Sequence, residues 1–180
     1  MWIFFAHNEG TYFSKQKKGE ERYMRITNYR IELDNEDRRA VLVKECAKNY
    51  PGINTFNTPF STYKMFCDVF HADRLAEEHV WILCLDTKLH LIGVFELSHG
   101  TANCSLIGAR EIFTRICLCG AAAFIIVHNH PSGDPEASVQ DIKRTEELEK
   151  ASKIMGITLC DHVIIGDGCY TSLKEIGKLS

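Results

Sequence analysis

The fold and the candidate site are indicated most clearly by one stretch, Ile126-Val127-His128-Asn129-His130-Pro131, which continues as Ser132-Gly133-Asp134-Pro135. It ends an apolar run from Ala122 to Val127, which is typical of a strand buried on both faces of a sheet. Side chains two residues apart on an extended chain point the same way, so His128 and His130 can offer two imidazoles to one ion. The carboxyl end of a buried strand is also where α/β sheets commonly bind ligands.

The residues after this loop supply a carboxylate for the same ion. Ten residues separate His130 from Asp141, which lies in the first turn of a predicted helix with Ser138 at its N-cap. A loop of that length can double back and bring the helix start over the imidazoles. Two imidazoles, one carboxylate and one open position form the pattern of a catalytic zinc site. The alternative is a purely structural role, in which Asp141 interacts favourably with the helix dipole and Ser138 only caps the helix.

Strand and helix signals alternate around this stretch. Strands are predicted over 80–85, 89–97, 122–127 and 157–165, and helices over about 108–119 and from Ser138 onward. The pattern predicts a hairpin of the strands 80–85 and 89–97. Gly120 is expected to end the helix predicted over about 108–119. The helix after Ser138 is expected to bury an apolar stripe made of Val139, Ile142, Leu148, Ala151 and Ile154. The alternation predicts an α/β fold, with a mixed β-sheet flanked by helices.

The first 55 residues give weaker signals. We expect residues 1–55 to form a partly disordered N-terminal extension and residues 56–180 to form the main domain. The charged and polar lead up to Met24 shows neither a helical nor a strand period, and Met24 is a candidate second start of translation.

Three local elements are predicted between Met24 and the main hairpin. A short strand is expected around Tyr29–Leu33, and a helix over Glu36–Ala47. Thr58-Pro59 then places an N-cap and a proline at the start of a further helix.

The composition argues against several classes of partner. With 21 Lys and Arg against 24 Asp and Glu, the net charge is −3, so a nucleic-acid partner is not expected. No apolar run approaches the roughly 20 residues that span a bilayer, so no membrane association is expected. The eight cysteines include no CxxC pair and no signal peptide is recognisable, which favours the reducing cytoplasm.

The motif His128-x-His130-Pro131, followed by Ser138-x-x-Asp141 and preceded by a glutamate, resembles the signature of the JAMM/MPN metallopeptidases. Within that group the chain is similar to the bacterial RadC branch. The segments that carry this similarity are Gly93–Thr101, Ala109–Phe113, His128–Pro135 and Asp161–Gly166. The similarity covers about residues 56–180. The first 55 residues carry none of the helix-hairpin-helix pattern of long RadC proteins, and Gly108-Ala109 replaces a usual His-Pro.

The resemblance implies a three-layer fold like that of cytidine deaminases and one Zn²⁺ per chain. His128, His130 and Asp141 would be the metal ligands. Glu96 would be the general base, and Ser138 would hydrogen-bond the oxyanion or the attacking water. The residues alone leave Glu96 open, because a carboxylate near the end of the 89–97 strand can equally be an ordinary surface residue.

Three functions follow as hypotheses. The first is a zinc-dependent hydrolase of peptide or isopeptide bonds that acts on a peptide or protein substrate. The second is a DNA repair or recombination accessory protein with a structural or vestigial metal site. The third is a metal-binding scaffold without turnover. Asp161-His162 is either an outer partner of a metal ligand or an ordinary core or surface pair.

Overall fold

A computed structural model describes residues 23–53, 55–100 and 108–180. The lead that is predicted to be poorly structured lies outside these residues, except for Tyr23 and Met24, which open the first strand. None of the helices among the described residues is long and apolar enough to cross a membrane.

The described residues form one seven-stranded mixed sheet in the order β2-β1-β4-β3-β5-β6-β7. Its strands are β1 (Tyr23–Leu33), β2 (Ala40–Pro51), β3 (Glu78–Leu85), β4 (Leu91–Gly100), β5 (Ala123–Asn129), β6 (Thr158–Ile165) and β7 (Tyr170–Ser172). Two neighbouring pairs, β1 with β4 and β5 with β6, run parallel, and the other pairs run antiparallel. Every residue of β5 is buried, as its apolar run predicts.

Helices cover both faces of this sheet, which confirms the predicted fold class. The helix α1 (Pro59–Phe70) packs on one face, where Met65 and Phe66 belong to the same core as Trp81. The helices α2 (Ala109–Cys119) and α3 (Val139–Met155) pack on the other face, where Ile116 and Leu148 join Phe124. A short 3-10 helix (Ala72–Arg74) follows α1. The result is three layers.

The helix ends follow the predicted signals. Thr58 caps α1 by accepting a hydrogen bond from the backbone N–H of Ser61. Gly120 ends α2 in the left-handed conformation at φ 68°, which glycine adopts without a steric cost. The predicted hairpin is also present as β3 and β4.

The predicted helix over Glu36–Ala47 is wrong. Residues 40–51 instead form β2, which pairs with β1 along the whole length of both strands. The preceding turn is held by the Asp34 carboxylate, which accepts hydrogen bonds from three backbone N–H groups. A partner strand overrides a weak local helical pattern, because the β-branched Val41 and Val43 fit a pleated surface well. Because β1 also pairs with β4, residues 23–51 extend the sheet of the main domain, and the boundary at residue 56 stays a prediction.

The predicted apolar stripe of α3 is also wrong at its two ends. Val139 is 82% exposed and Ile154 is 86% exposed. The buried residues of α3 are Asp141, Thr145, Leu148 and Ser152, and all but Leu148 are polar. Burial of polar groups is costly unless they are hydrogen-bonded, so this face has a purpose other than ordinary core packing.

Candidate metal centre

The two histidines of the HxH pair converge at the carboxyl end of β5. His128 is fully buried, and the side chain of His130, one residue beyond the strand, is 19% exposed. Their Nε2 atoms lie 3.0 Å apart. The backbone N–H of His130 donates to the Ile165 carbonyl at 2.8 Å, which ties the chain to the end of the neighbouring strand β6. This hydrogen bond and the strand pairing of β5 therefore fix the backbone at both histidines.

The start of α3 brings a carboxylate to the same place. Asp141 is buried, with Oδ1 3.6 Å from Nε2 of His128 and Oδ2 3.8 Å from Nε2 of His130. One possible ligand atom from each of the three residues lies within 4.8 Å of the other two. The loop between His130 and α3 thus doubles back as its length predicts.

Ser138 holds the Asp141 carboxylate in place. The Ser138 hydroxyl and backbone N–H donate to Oδ2 of Asp141 at 2.6 and 2.9 Å, and the Asp141 N–H donates to the Ser138 hydroxyl oxygen at 3.1 Å. This is the predicted capping box, and it is confirmed. The Ser138 hydroxyl contacts one of the three donor residues, Asp141, so the helix cap also positions the carboxylate.

The donor set fits a zinc ion. Nδ1 of His130 lies 2.8 Å from the carbonyl oxygen of Asp134, which can only accept a hydrogen bond, so Nδ1 carries the ring proton and Nε2 presents a lone pair. Two ligands of a tetrahedral zinc ion lie about 3.3 Å apart, close to the separation of the two Nε2 atoms. Two imidazole nitrogens and a carboxylate are a common catalytic zinc set, and a divalent cation would relieve the repulsion between them.

The electrostatics of the site keep His128 ready for a metal. Burial holds the pKa of His128 well below its ordinary value, and the neighbouring ring of His162 acts in the same direction. Burial also lowers the pKa of His162, to about 3. Both rings are therefore neutral near pH 7, and a neutral imidazole is the form that binds zinc.

The structure does not bring Glu96 to these donor groups. Glu96 is exposed on β4, and its Oε1 lies 2.7 Å from Nδ1 of His79 and 3.6 Å from Nδ1 of His99. In the pairing of β3 with β4, Glu96 lies opposite Trp81, whose side chain belongs to the core on the α1 face of the sheet. The buried Asp141 of α3 approaches His128 from the opposite face. Alternation along a strand therefore separates the predicted base from the predicted metal ligands.

A second glutamate, which the sequence reasoning missed, lies on the sheet face of His128. Glu78 opens β3, the strand that pairs with β5, and Val80 lies opposite His128 in that pairing. Antiparallel continuation of this register places Glu78 opposite His130. Because side chains alternate, Glu78 points to the same face as Val80 and His128. Glu78 is partly buried.

The backbone on both sides of Glu78 is fixed to the HxH segment. The side chain of Asn129 accepts a hydrogen bond from the His79 N–H at 2.8 Å and donates one to the Glu77 carbonyl at 3.0 Å. Asn129 lies between the two histidines, so its amide joins the start of β3 to the end of β5. The sequence signal for Glu78 is the acidic pair Glu77-Glu78 at the start of a strand, and it points to the site only once the strand pairing is known.

A cleft of about 900 Å³ opens beside His130. Its walls are residues 73–76, the loop 130–135, and Asp167 and Cys169 after β6. This volume lies within the range of about 300–1,000 Å³ that is usual for ligand sites. Of the three donor residues, His130 is the one that lines this cleft.

The packing of Gly166 predicts a loss of metal affinity on substitution. A Cβ at Gly166 would clash with the Gly133 carbonyl and lie 2.8 Å from Pro135 Cδ, so the loop that carries His130 and Asp134 would have to move. We expect Gly166→Ala to weaken zinc binding about 10-fold or more, as loss of an outer contact of a ligand does. Competition with a chelating dye measures this.

Gly108→Ala is the control, because its Cβ meets only the flexible Glu111 side chain. Unchanged affinity in folded Gly166→Ala would contradict the expectation.

Comparison with known proteins adds independent information. The sequence pattern of the family described as "RadC-like JAB domain" matches residues 56–178. A UPF0758 protein of Methanococcoides burtonii is 47% identical over 106 residues, which are 59% of this chain and 46% of that protein. The UPF0758 protein of Desulforudis audaxviator is 50% identical over 100 residues, which are 56% and 44% of the two chains. The UPF0758 protein of Thermotoga maritima is 46% identical over 105 residues, which are 58% and 47%. The matched stretch thus spans a little under half of each relative.

Proposed function

Since this chain belongs to the family of RadC-like JAB domains, we propose that it is a zinc-dependent hydrolase of peptide or isopeptide bonds. The observation that carries this proposal is the convergence of His128, His130 and Asp141 beside an open cleft. These three side chains would hold one Zn²⁺ per chain. When bound at such a site, zinc lowers the pKa of a coordinated water and polarises a carbonyl group.

The proton carrier in this proposal is Glu78 rather than Glu96. A general base has to lie within hydrogen-bond reach of the proton that it removes. Glu78 shares the sheet face of His128 and lies across from His130, whereas Glu96 lies on the other face with His79. Glu78 would take the proton of the attacking water and deliver it to the leaving amine.

Ser138 would donate a hydrogen bond to the oxyanion that forms at the scissile carbonyl. Its hydroxyl donates to Asp141 in the structure and would rotate toward the substrate. The backbone N–H of Ser138 would still hold Oδ2 of Asp141, so the carboxylate would keep its position. A donor at that position would stabilise the charge that develops in the transition state.

Hydrolysis by the purified zinc protein is the test of this proposal. The protein is profiled against a library of peptides and isopeptides by mass spectrometry, beside the same protein stripped of metal and then reloaded. We expect cleavage that disappears with the metal and returns with zinc. A zinc-loaded protein that cleaves no member, or cleavage that is indifferent to metal, would overturn it.

We also propose that the partner is a peptide or protein and not DNA. A protein that neutralises several phosphates loses affinity steeply with salt, with a slope of about −0.9 per contact on duplex DNA. With a net charge of −3, we expect the full chain to bind duplex DNA no tighter than about 10⁻⁴ to 10⁻⁶ M at physiological salt. A titration at several salt concentrations measures this. Submicromolar binding with a steep slope would favour a DNA repair or recombination role instead.

A cytoplasmic location is part of the same proposal. The seven cysteines among the described residues are free thiols, in exposed, partly buried and buried positions alike. Free thiols persist in a reducing compartment.

A further inference from the structure

A row of three short hydrogen bonds lies behind His128, on the side away from the donor groups. Nδ1 of His128 lies 2.8 Å from Nε2 of His162, and Nδ1 of His162 lies 2.6 Å from the Thr145 hydroxyl oxygen. That hydroxyl lies 2.7 Å from the carbonyl oxygen of Asp141. All four residues are buried, so water does not compete for these contacts.

The direction of each hydrogen bond follows from the end of the row. The Asp141 carbonyl can only accept, so the Thr145 hydroxyl proton lies between these two oxygens. The hydroxyl oxygen is then an acceptor toward His162, whose proton must be on Nδ1. Nε2 of His162 is left with a lone pair and accepts the Nδ1 proton of His128. In the reverse direction, the hydroxyl and the carbonyl oxygen would face each other at 2.7 Å with no hydrogen between them. The direction chosen here instead leaves Nε2 of His128 and Nε2 of His130 facing each other at 3.0 Å as two lone pairs, and this is the gap that a cation would occupy.

At the other end of this row is His128, whose Nε2 faces the other donor groups. A neutral imidazole carries one proton, so a proton on Nδ1 of His128 leaves Nε2 with a lone pair. We propose that Thr145 and His162 are positioning residues that fix the tautomer and ring orientation of His128 for the metal. This inference rests on the proposed zinc centre. Most metal-binding histidines are oriented by a carboxylate, a carbonyl or a water, and here a second histidine with a threonine behind it takes that role.

The position of His162 is itself fixed by Asp161. The Asp161 carboxylate accepts hydrogen bonds from the backbone N–H groups of His162 and Lys174 at 2.7 and 3.1 Å and from the Ser172 hydroxyl at 2.6 Å. It therefore ties the backbone at His162 to the chain that follows β7. The row is thus built on α3 and β6, two elements that pack against each other.

The first measurement needs no variant. In the zinc-free protein, the ¹⁵N chemical shifts of the ring nitrogens should show the proton of His128 on Nδ1. A proton on Nε2 of His128 would overturn the inference, whether or not the protein hydrolyses any substrate.

The second measurement compares zinc affinities. Thr145→Val keeps the shape of the side chain and removes the hydroxyl, so we expect zinc affinity to fall about 10–100-fold. Its ring-nitrogen spectrum should show His128 with a mixture of tautomers. Thr145→Ser restores the hydroxyl and should restore both readouts. Thr62→Val is the matched control, because Thr62 is equally buried and its hydroxyl has no hydrogen-bond partner among the described residues.

The outcomes separate this inference from the proposed function. If the native protein binds zinc and Thr145→Val binds it equally well, the positioning role is wrong and the metal centre stands. If the native protein binds no zinc at all, the proposed function fails. Circular dichroism of each variant confirms that the fold is retained. If Thr145→Val does not fold, the tautomer of the native protein and the Thr145→Ser variant still decide.

Discussion

Replacing Glu78 with glutamine is expected to leave bound zinc in place and to lower hydrolysis by a factor of about 10² or more. Glutamine keeps the shape of the side chain but cannot accept and return a proton near neutral pH. The geometric reason is that β3 pairs with β5 so that Glu78 lies across from His130. Metal content by mass spectrometry and the rate of cleavage of a library substrate are measured on the same preparation.

Glu96→Gln is the matched control for this experiment. Because Glu96 contacts His79 on the opposite sheet face, we expect its replacement to leave both zinc content and the rate of cleavage nearly unchanged. The reverse result, with activity lost in Glu96→Gln and kept in Glu78→Gln, would assign the base to Glu96. Loss of zinc from Glu78→Gln would make Glu78 a ligand and contradict its role as a base.

Replacing Asp141 with asparagine is expected to remove most of the zinc. Asparagine keeps an oxygen that can accept the Ser138 N–H, so the helix cap is preserved, but the negative charge is lost. Loss of a ligand should cost more than the roughly 10–100-fold in affinity that loss of an outer partner costs. We expect the same result for His128→Ala. Inductively coupled plasma mass spectrometry of the purified variants measures the metal.

The control is His99→Ala, which removes an exposed imidazole that lies outside the donor set. It should purify with about one zinc per chain, like the native protein. Full zinc occupancy in both Asp141→Asn and His128→Ala would show that the metal is bound elsewhere.

The donor set could be predicted from sequence because each part of it is local. The HxH spacing fixes the common direction of His128 and His130, and the Ser138 capping signal fixes the helix turn of Asp141. The loop between them is short, so few arrangements can bring the helix start over the strand end. The buried strand β5 carries an equally local signal in its continuous apolar run.

The proposed base and the proposed outer partners could not be predicted in this way, because their placement depends on strand register and helix rotation. The pairing of Val80 with His128 places Glu78 opposite His130, and no sequence signal within either strand predicts that pairing. Family resemblance pointed to Glu96, which alternation along β4 turns away from the site. His162 is 34 residues from His128 along the chain, and the contact depends on the parallel pairing of β5 with β6.

Both wrong local predictions fail because contacts between distant parts of the chain outweigh a local sequence pattern. Residues 40–47 show a weak helical pattern, but hydrogen bonding to β1 outweighs it. On α3, the apolar Val139 and Ile154 suggest a buried stripe, but the helix is rotated so that Asp141 and Thr145 face inward. On this inward face, Thr145 hydrogen-bonds His162, and the Asp141 carboxylate lies beside His128 and His130.

An anomalous difference map at the zinc absorption edge, from crystals of the native protein, tests the central claim most directly. We predict one peak per chain at about 2.0–2.2 Å from Nε2 of His128, Nε2 of His130 and a carboxylate oxygen of Asp141. A peak among His79, Glu96 and His99, or an empty site in zinc-saturated crystals, would contradict the account.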